Sequence, residues 1–298
     1  MPRVAGLIPP VITPLTADGK VDRAAVLRVM ERLVSAGVDG VFVMGSSGEG
    51  PSLSDRQRRD VATAYVEASG GRVPVYVGAL DPSPERAATT VDMVISIGAD
   101  AVVLGGPYYF TGAGPEHVRA HVLQSLGGTD VPAIVYNLPQ ATGNPFTPDV
   151  VRHLAADARI VAIKDSCGVE ADSLALQAAA AGAGLDFLQG AEALLATSVL
   201  HGAAGIIPGA ANIVPRLCRR LFDAAASGDV DVALALQADL VVACEAIYRG
   251  GHWLSALKAT ASEFGLCGPA TSGGLPPLER GDAVVVEDVV RVAAEDAA

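Results

Sequence analysis

The sequence predicts an α/β fold, a (β/α)8 barrel carrying a C-terminal helical extension. Eight short apolar runs alternate with longer Ala-rich segments of helical period. The runs are apolar at successive positions, as strands covered on both faces are, so the sheet is expected to be parallel and sheathed by helices. The chain has 298 residues, half of them hydrophobic, enough for one large core of this kind.

The expected strands are 6–13, 40–45, 73–79, 101–106, 132–137, 159–166, 185–191 and 204–209. Helices are expected over 23–36, 54–69, 84–97, 115–126, 148–156, 170–181, 192–201 and 213–226. In the first, Val26, Leu27, Val29, Met30, Leu33 and Val34 recur at helical spacing. Ser54 with Asp55 opens the second, and Thr147-Pro148-Asp149 places a Thr at an N-cap and a Pro at N1. Gly37, Gly70, Gly98 and Gly182 follow helical patterns as stops. A dinucleotide-binding fold would require a glycine-rich turn straight after a strand. Gly182-Ala183-Gly184 instead lies between a helix and a strand, as a plain turn. Residues 1–228 thus form the expected barrel domain. Residues 229–298 form a helical appendix packed on it, with helices Val230–Tyr248, Trp253–Phe264 and Val284–Ala294 and the Gly/Pro-rich loop 265–281.

Composition narrows the function classes. A net charge of −12 without a basic run excludes nucleic acid and anionic membrane surfaces as partners. Pro or charge interrupts every apolar stretch before membrane-spanning length, and the N-terminus shows no signal-peptide pattern, so a cytoplasmic protein is expected. Cys167, Cys218, Cys244 and Cys267 are widely spaced without a C-x-x-C pair, against zinc and against a disulfide framework. Of 21 basic residues only Lys20, Lys164 and Lys258 are lysines. Arginine holds its proton too strongly to serve as an amine nucleophile, so the candidates are few.

Barrel chemistry takes place at the C-terminal ends of the strands. In the sixth run, Arg159 to Asp165, Lys164 follows four apolar residues, and alternation places it on the face of Ile160 and Ala162. If that face points inward the amine is desolvated, and a desolvated amine is more readily neutral and able to form a Schiff base with a carbonyl. The competing reading is a strand-end lysine snorkelling or paired with Asp165. The fifth run ends Ile134-Val135-Tyr136-Asn137, so Tyr136 would stand beside Lys164 and relay protons, or simply fill a layer of the barrel.

After the second run, Gly45-Ser46-Ser47-Gly48-Glu49-Gly50 offers backbone N–H groups and two hydroxyls to a carboxylate, although Gly/Ser turns are common. Tyr108, Tyr109 and Phe110 after the fourth run form either a site wall or a subunit contact. His117 and His121 have metal-ligand spacing but no third ligand in pattern, and read as two surface histidines. Ile207-Pro208-Gly209-Ala210 would either cradle a phosphate or close the site over a small substrate, the second being preferred.

Taken in order, these segments carry a resemblance. The chain resembles the dihydrodipicolinate synthase/N-acetylneuraminate lyase superfamily of class I pyruvate-dependent aldolases over almost its whole length. The motifs are GSSGE, PYY, YN-x-P-x-x-TG, IKD, Gln189-Gly190 and GIIPGAAN. The resemblance implies that Lys164 is the Schiff-base lysine and Tyr136 the proton-relaying phenol. Ser46, Ser47 and Gly48 would bind the pyruvate carboxylate, the serines replacing the Thr pair usual in the synthase branch. Tyr109 would reach into a neighbouring subunit's site and complete a hydroxyl relay with Ser47, while Gly190, Ile207 and Thr142 would contact substrate. A homotetramer (a dimer of dimers) and the absence of any metal or organic cofactor are also implied.

One departure bears on substrate. The synthase-branch Arg that grips a substrate carboxylate is here Ala141, and the adjoining loops look more like those of 2-keto-3-deoxygluconate-type aldolases. The expected function is therefore cleavage or formation of a 2-keto-3-deoxy sugar acid, or a similar 4-hydroxy-2-oxo acid, from pyruvate and an aldehyde. The alternatives are 4-hydroxy-tetrahydrodipicolinate synthase acting on aspartate semialdehyde, a dehydratase of the same superfamily, and a non-catalytic barrel that binds a keto acid.

Overall fold

The computed structural model describes residues 3–278. Its strands are β1 (Gly6–Leu7), β2 (Val41–Val43), β3 (Val75–Gly78), β4 (Ala101–Gly105), β5 (Ala133–Asn137), β6 (Ile160–Asp165), β7 (Asp186–Gln189) and β8 (Gly205–Ile206). They pair in parallel in the order β1-β8-β7-β6-β5-β4-β3-β2. The ends of that ladder meet where the Val11 N–H donates to the Phe42 carbonyl and the Phe42 N–H donates to the Pro9 carbonyl, each at 2.9 Å. This closes the expected barrel. The first strand is much shorter than 6–13 because Pro9 and Pro10 have no N–H to give a ladder.

Alternation sorts the strand side chains into two cores. Phe42, Tyr76, Val103, Ile134, Tyr136 and Leu188 fill the barrel interior. Val41, Val43, Val75, Val77, Val135 and Ile163 face the helical sheath. β6 departs from simple alternation. A register shift opposite Ala133 and Ile134 places Val161 and Ala162 together inside, and Ile160 outside. The expectation that Ile160 shares the face of Lys164 is thus corrected, because a bulge inserts one residue and reverses the phase behind it.

The sheath comprises α1 (Arg23–Ser35), α2 (Asp55–Ser69), α3 (Pro84–Ser96), α4 (Pro115–Leu126), α5 (Pro139–Thr142), α6 (Pro148–Leu154), α7 (Glu170–Gly182), α8 (Leu195–Leu200) and α9 (Pro215–Ala226). Ser54 and Gln57 make a reciprocal capping box at α2, and the Thr147 hydroxyl accepts from the Val150 N–H at α6. Three local readings change. The segment expected as one helix over 192–201 is a single turn at Glu192–Leu194 followed by α8. Gly182 lies within the last turn of α7, with the left-handed position at Gly184 instead. The turn α5 was not expected from the sequence.

α10 (Val230–Ile247) and α11 (Trp253–Glu263) complete the described chain, and the third helix expected in the appendix lies outside the described residues. Among the described residues no helix is long and apolar enough to cross a membrane. His121 is buried on α4 while His117 is exposed, so they are not two surface histidines. Burial without a partner for Nδ1 holds the pKa of His121 down at about 4.

Candidate active site

β5 and β6 bring the two principal candidates together. Tyr136 and Lys164 are register partners at the C-terminal ends of these strands, and both are buried. The Lys164 Nζ lies 4.1 Å from the centre of the Tyr136 ring and 4.9 Å from that of Phe42. The two rings meet edge to face with centroids 6.1 Å apart. The lysine therefore rests on two aromatic faces in the mouth of the barrel.

Asp165 is not its partner. Its carboxylate points to the helical side, accepting from Asn137 Nδ2 at 2.7 Å and from the Cys167 N–H and Sγ at 3.2 and 3.1 Å. The strand-end alternative to a reactive lysine thus loses both its forms, since the side chain is buried rather than snorkelling and Asp165 is engaged elsewhere.

The amine opens into a cavity of about 680 Å3 lined also by Ser46, Ser47, Gly190 and Ile207. The serine turn is tightly folded. Met44 and Glu49 at its ends both adopt left-handed conformations, with φ of 59° and 60°. The Gly48 carbonyl accepts the Thr13 hydroxyl at 2.6 Å, so this residue supports the turn from behind. A Cβ on Gly50 would lie 2.0 Å from the Met44 carbonyl oxygen, a spacing only glycine permits. Ser47 is buried and Ser46 half-buried, both on the cavity wall. Across the cavity, the Gly190 N–H donates to the Asp165 carbonyl at 2.7 Å, drawing β7 against the lysine.

Two expected residues stand apart. The Thr142 hydroxyl bonds within its own turn, to the Leu138 and Asn144 carbonyls at 3.2 and 3.3 Å, and the residue lines a smaller adjoining cavity of about 230 Å3. Tyr109 is 82% exposed, with a left-handed φ of 78°, and does not enter its own chain's cavity.

Sequence reasoning missed the far wall. Glu192, just beyond β7, accepts at Oε1 from the Ala210 N–H (2.6 Å) and from the Tyr248 hydroxyl (2.9 Å). Desolvation pushes the Glu192 carboxyl pKa up, against the pull of these two bonds and of the Lys164 charge. Tyr248, His252 and Trp253 come from the segment that ends α10 and begins α11, so the appended helices form part of the cavity. The position of Glu192 after a barrel strand was a usable signal; the docking of Tyr248 against it had none. Among the described residues no arginine lines the cavity, and Ala141 contributes only a methyl group.

Known proteins resemble this chain over most of its length. The model of the dihydrodipicolinate synthetase family matches residues 3–280. An uncharacterised DapA-like lyase of Halobacterium salinarum is 34% identical over 90% of this chain and 87% of its own. A 4-hydroxy-tetrahydrodipicolinate synthase of Ruegeria pomeroyi is 33% identical over 92% and 93%. A probable 2-dehydro-3-deoxy-D-pentonate aldolase of Escherichia coli, YjhH, is 31% identical over 93% and 92%. Among solved structures, YagE of E. coli in complex with pyruvate superimposes with a TM-score of 0.88 at 26% identity, covering 98% of this chain and 97% of that one.

Proposed function

The chain belongs to the dihydrodipicolinate synthetase family, and from that premise we propose that Lys164 is the amine that carries a 2-oxo acid as a Schiff base. The enzyme is a class I aldolase or lyase. The observation that carries the residue assignment is the Tyr136–Lys164 pair, side by side in register at the mouth of the barrel and open to a cavity with two serine hydroxyls.

The reaction follows from that geometry. In the cleavage direction, the neutral Lys164 amine adds to the C2 carbonyl of a 4-hydroxy-2-oxo acid, and loss of water, with the Tyr136 phenol giving its proton to the departing hydroxide, leaves a protonated imine beside a Tyr136 phenolate. Ser46 and Ser47 hold the C1 carboxylate through hydroxyl and backbone N–H groups. Tyr136 accepts the C4 hydroxyl proton, the C3–C4 bond breaks, and its electrons pass into the iminium to give an enamine as the aldehyde leaves. Return of the proton to C3 and hydrolysis release pyruvate and the free lysine. In the condensation direction the same steps run backward.

The substrate is a 2-keto-3-deoxy sugar acid or a close relative. Among the described residues, the wall facing the amine offers Gln140, Ser166, His252 and the Glu192 carboxyl but no guanidinium, and this suits a hydroxylated aldehyde better than one bearing a second carboxylate. The likeness to YjhH, a probable 2-dehydro-3-deoxy-D-pentonate aldolase, points the same way. The synthase reading has the R. pomeroyi relative in its favour. Offering pyruvate with glyceraldehyde, glycolaldehyde or aspartate semialdehyde, and following products by mass, separates the two. The hydroxyaldehydes are expected to be favoured in kcat/KM by about tenfold or more. Preference for aspartate semialdehyde would overturn the sugar-acid reading.

The proposed assembly is a homotetramer in which Tyr109 of one copy completes the hydroxyl relay of the next. What supports it is the exposure of Tyr109 and Phe110, 82% and 75%, on a left-handed turn that the isolated chain leaves unpartnered by any core.

A further inference from the structure

The third lysine has no part in the chemistry above, yet it is one of the most deeply enclosed charges among the described residues. Lys258 and Glu49 have fully buried side chains, with Nζ and Oε1 2.7 Å apart. Lys258 lies on α11, whose first residue, Trp253, lines the cavity. Glu49 ends the serine turn.

A buried ion pair is a weak way to add stability, since desolvation offsets much of its attraction and an apolar pair of similar volume does as well. What it supplies is direction. The Lys258 ammonium donates to the Thr13 carbonyl at 2.7 Å as well as to Glu49. The Thr13 hydroxyl in turn holds the Gly48 carbonyl. The second Glu49 oxygen accepts the Ser272 N–H, and the Glu49 carbonyl accepts the Ser52 hydroxyl at 2.9 Å. The Glu49 N–H donates to the Ser46 carbonyl at 3.1 Å. These bonds hold Glu49 in a left-handed conformation that a glutamate does not ordinarily adopt. One ammonium thus anchors the turn at two points, Gly48 through Thr13 and Ser46 through Glu49.

We propose that Lys258 is a positioning residue for the 2-oxo acid, fixing through Glu49 and Thr13 the turn that presents Ser46 and Ser47 to the substrate carboxylate. This rests on the reading that those serines bind that carboxylate. Binding of the small substrate is then set by a residue of the appended helices that touches neither substrate nor any reacting atom.

The test uses the full chain as wild type, Lys258→Met, Glu49→Gln and the double variant. The pyruvate concentration that half-saturates borohydride trapping on Lys164 is measured with the maximal extent of trapping. Hydrogen exchange is followed in peptides covering residues 44–50. Lys258→Met is expected to raise the half-saturating pyruvate at least about tenfold while leaving the maximal extent unchanged, and to speed exchange in the turn by a similar factor. Glu49→Gln is expected to raise it about threefold or more, with the double variant no worse than the more severe single one. A lowered melting temperature, with half-saturation and turn exchange both within twofold of wild type, would make the pair a staple for α11 alone and overturn the proposal. If Lys258→Met does not fold, Glu49→Gln, which preserves volume, decides by the same criteria. If wild type forms no adduct on Lys164, the Schiff-base reading fails instead, and turn exchange alone decides the positioning role.

Discussion

Gly190→Ala places one methyl group against the proposed catalytic amine and separates catalysis from folding. A Cβ there would stand 2.7 Å from the Lys164 Cε and 2.3 Å from the Ser166 Oγ. Ordinary carbon–carbon contact is about 3.5–4.0 Å, so the end of the lysine must retreat by about 1 Å. The glycine cannot withdraw instead, because its N–H is bonded to the Asp165 carbonyl at 2.7 Å. The two closest obstructing atoms lie near the ends of side chains, and the third, the Asp165 carbonyl oxygen at 3.1 Å, has to give by only a few tenths of an ångström, so the fold accommodates the change at modest cost. Reaction geometry does not: a displacement of this size costs about 10²-fold in rate, or about 2.7 kcal/mol of barrier. The assay is the rate of pyruvate-dependent borohydride trapping on Lys164, together with kcat/KM for condensation with glyceraldehyde, beside a thermal melt. The expected result is a loss of about 10²-fold in both rates, with the melting temperature within a few degrees of wild type. A variant that traps pyruvate at the wild-type rate would refute the placement of the amine against β7.

Tyr136→Phe keeps the ring that supports Lys164 and removes only the hydroxyl, so trapping of pyruvate should persist while aldol turnover falls by about 10²–10⁴-fold; equal turnover would remove Tyr136 from the proton transfer. His121 gives a stability signature independent of the active site. Its folded pKa of about 4 lies below the ordinary value of 6.5. The unfolded chain therefore takes up a proton first as pH falls, and stability drops between about pH 6.5 and 4. At pH 5 the contribution is about 2 kcal/mol, which urea titrations of wild type and His121→Leu at pH 7 and 5 should show as a smaller acid loss in the variant.

Much of the barrel was legible because parallel strands covered on both faces leave unmistakable apolar runs, and because barrel chemistry is confined to strand ends. Lys164 and Tyr136 were found by alternation over only two residues, Ala162 to Lys164 and Ile134 to Tyr136. That short reach is why the bulge at Val161, which moved Ile160 outside, left the inference standing. Pro9 and Pro10 were visible in the sequence, but their effect on β1 depends on which N–H groups the neighbouring strands require. The burial of His121 could not be read from an i, i+4 spacing that surface and core helices share. Least legible were the contacts that close the site. Tyr248 meets Glu192 across 56 positions and Lys258 meets Glu49 across 209, and no local pattern encodes how α10 and α11 dock. Counting lysines singled out Lys258 as a candidate amine, but only the fold shows it enclosed behind the serine turn.

The measurement that bears most directly on the central claim is peptide mass spectrometry of the full chain after incubation with pyruvate and borohydride. The account predicts a reduced pyruvate adduct on Lys164, lost in Lys164→Arg. An adduct confined to Lys20 or Lys258, or no adduct under saturating pyruvate, would contradict it.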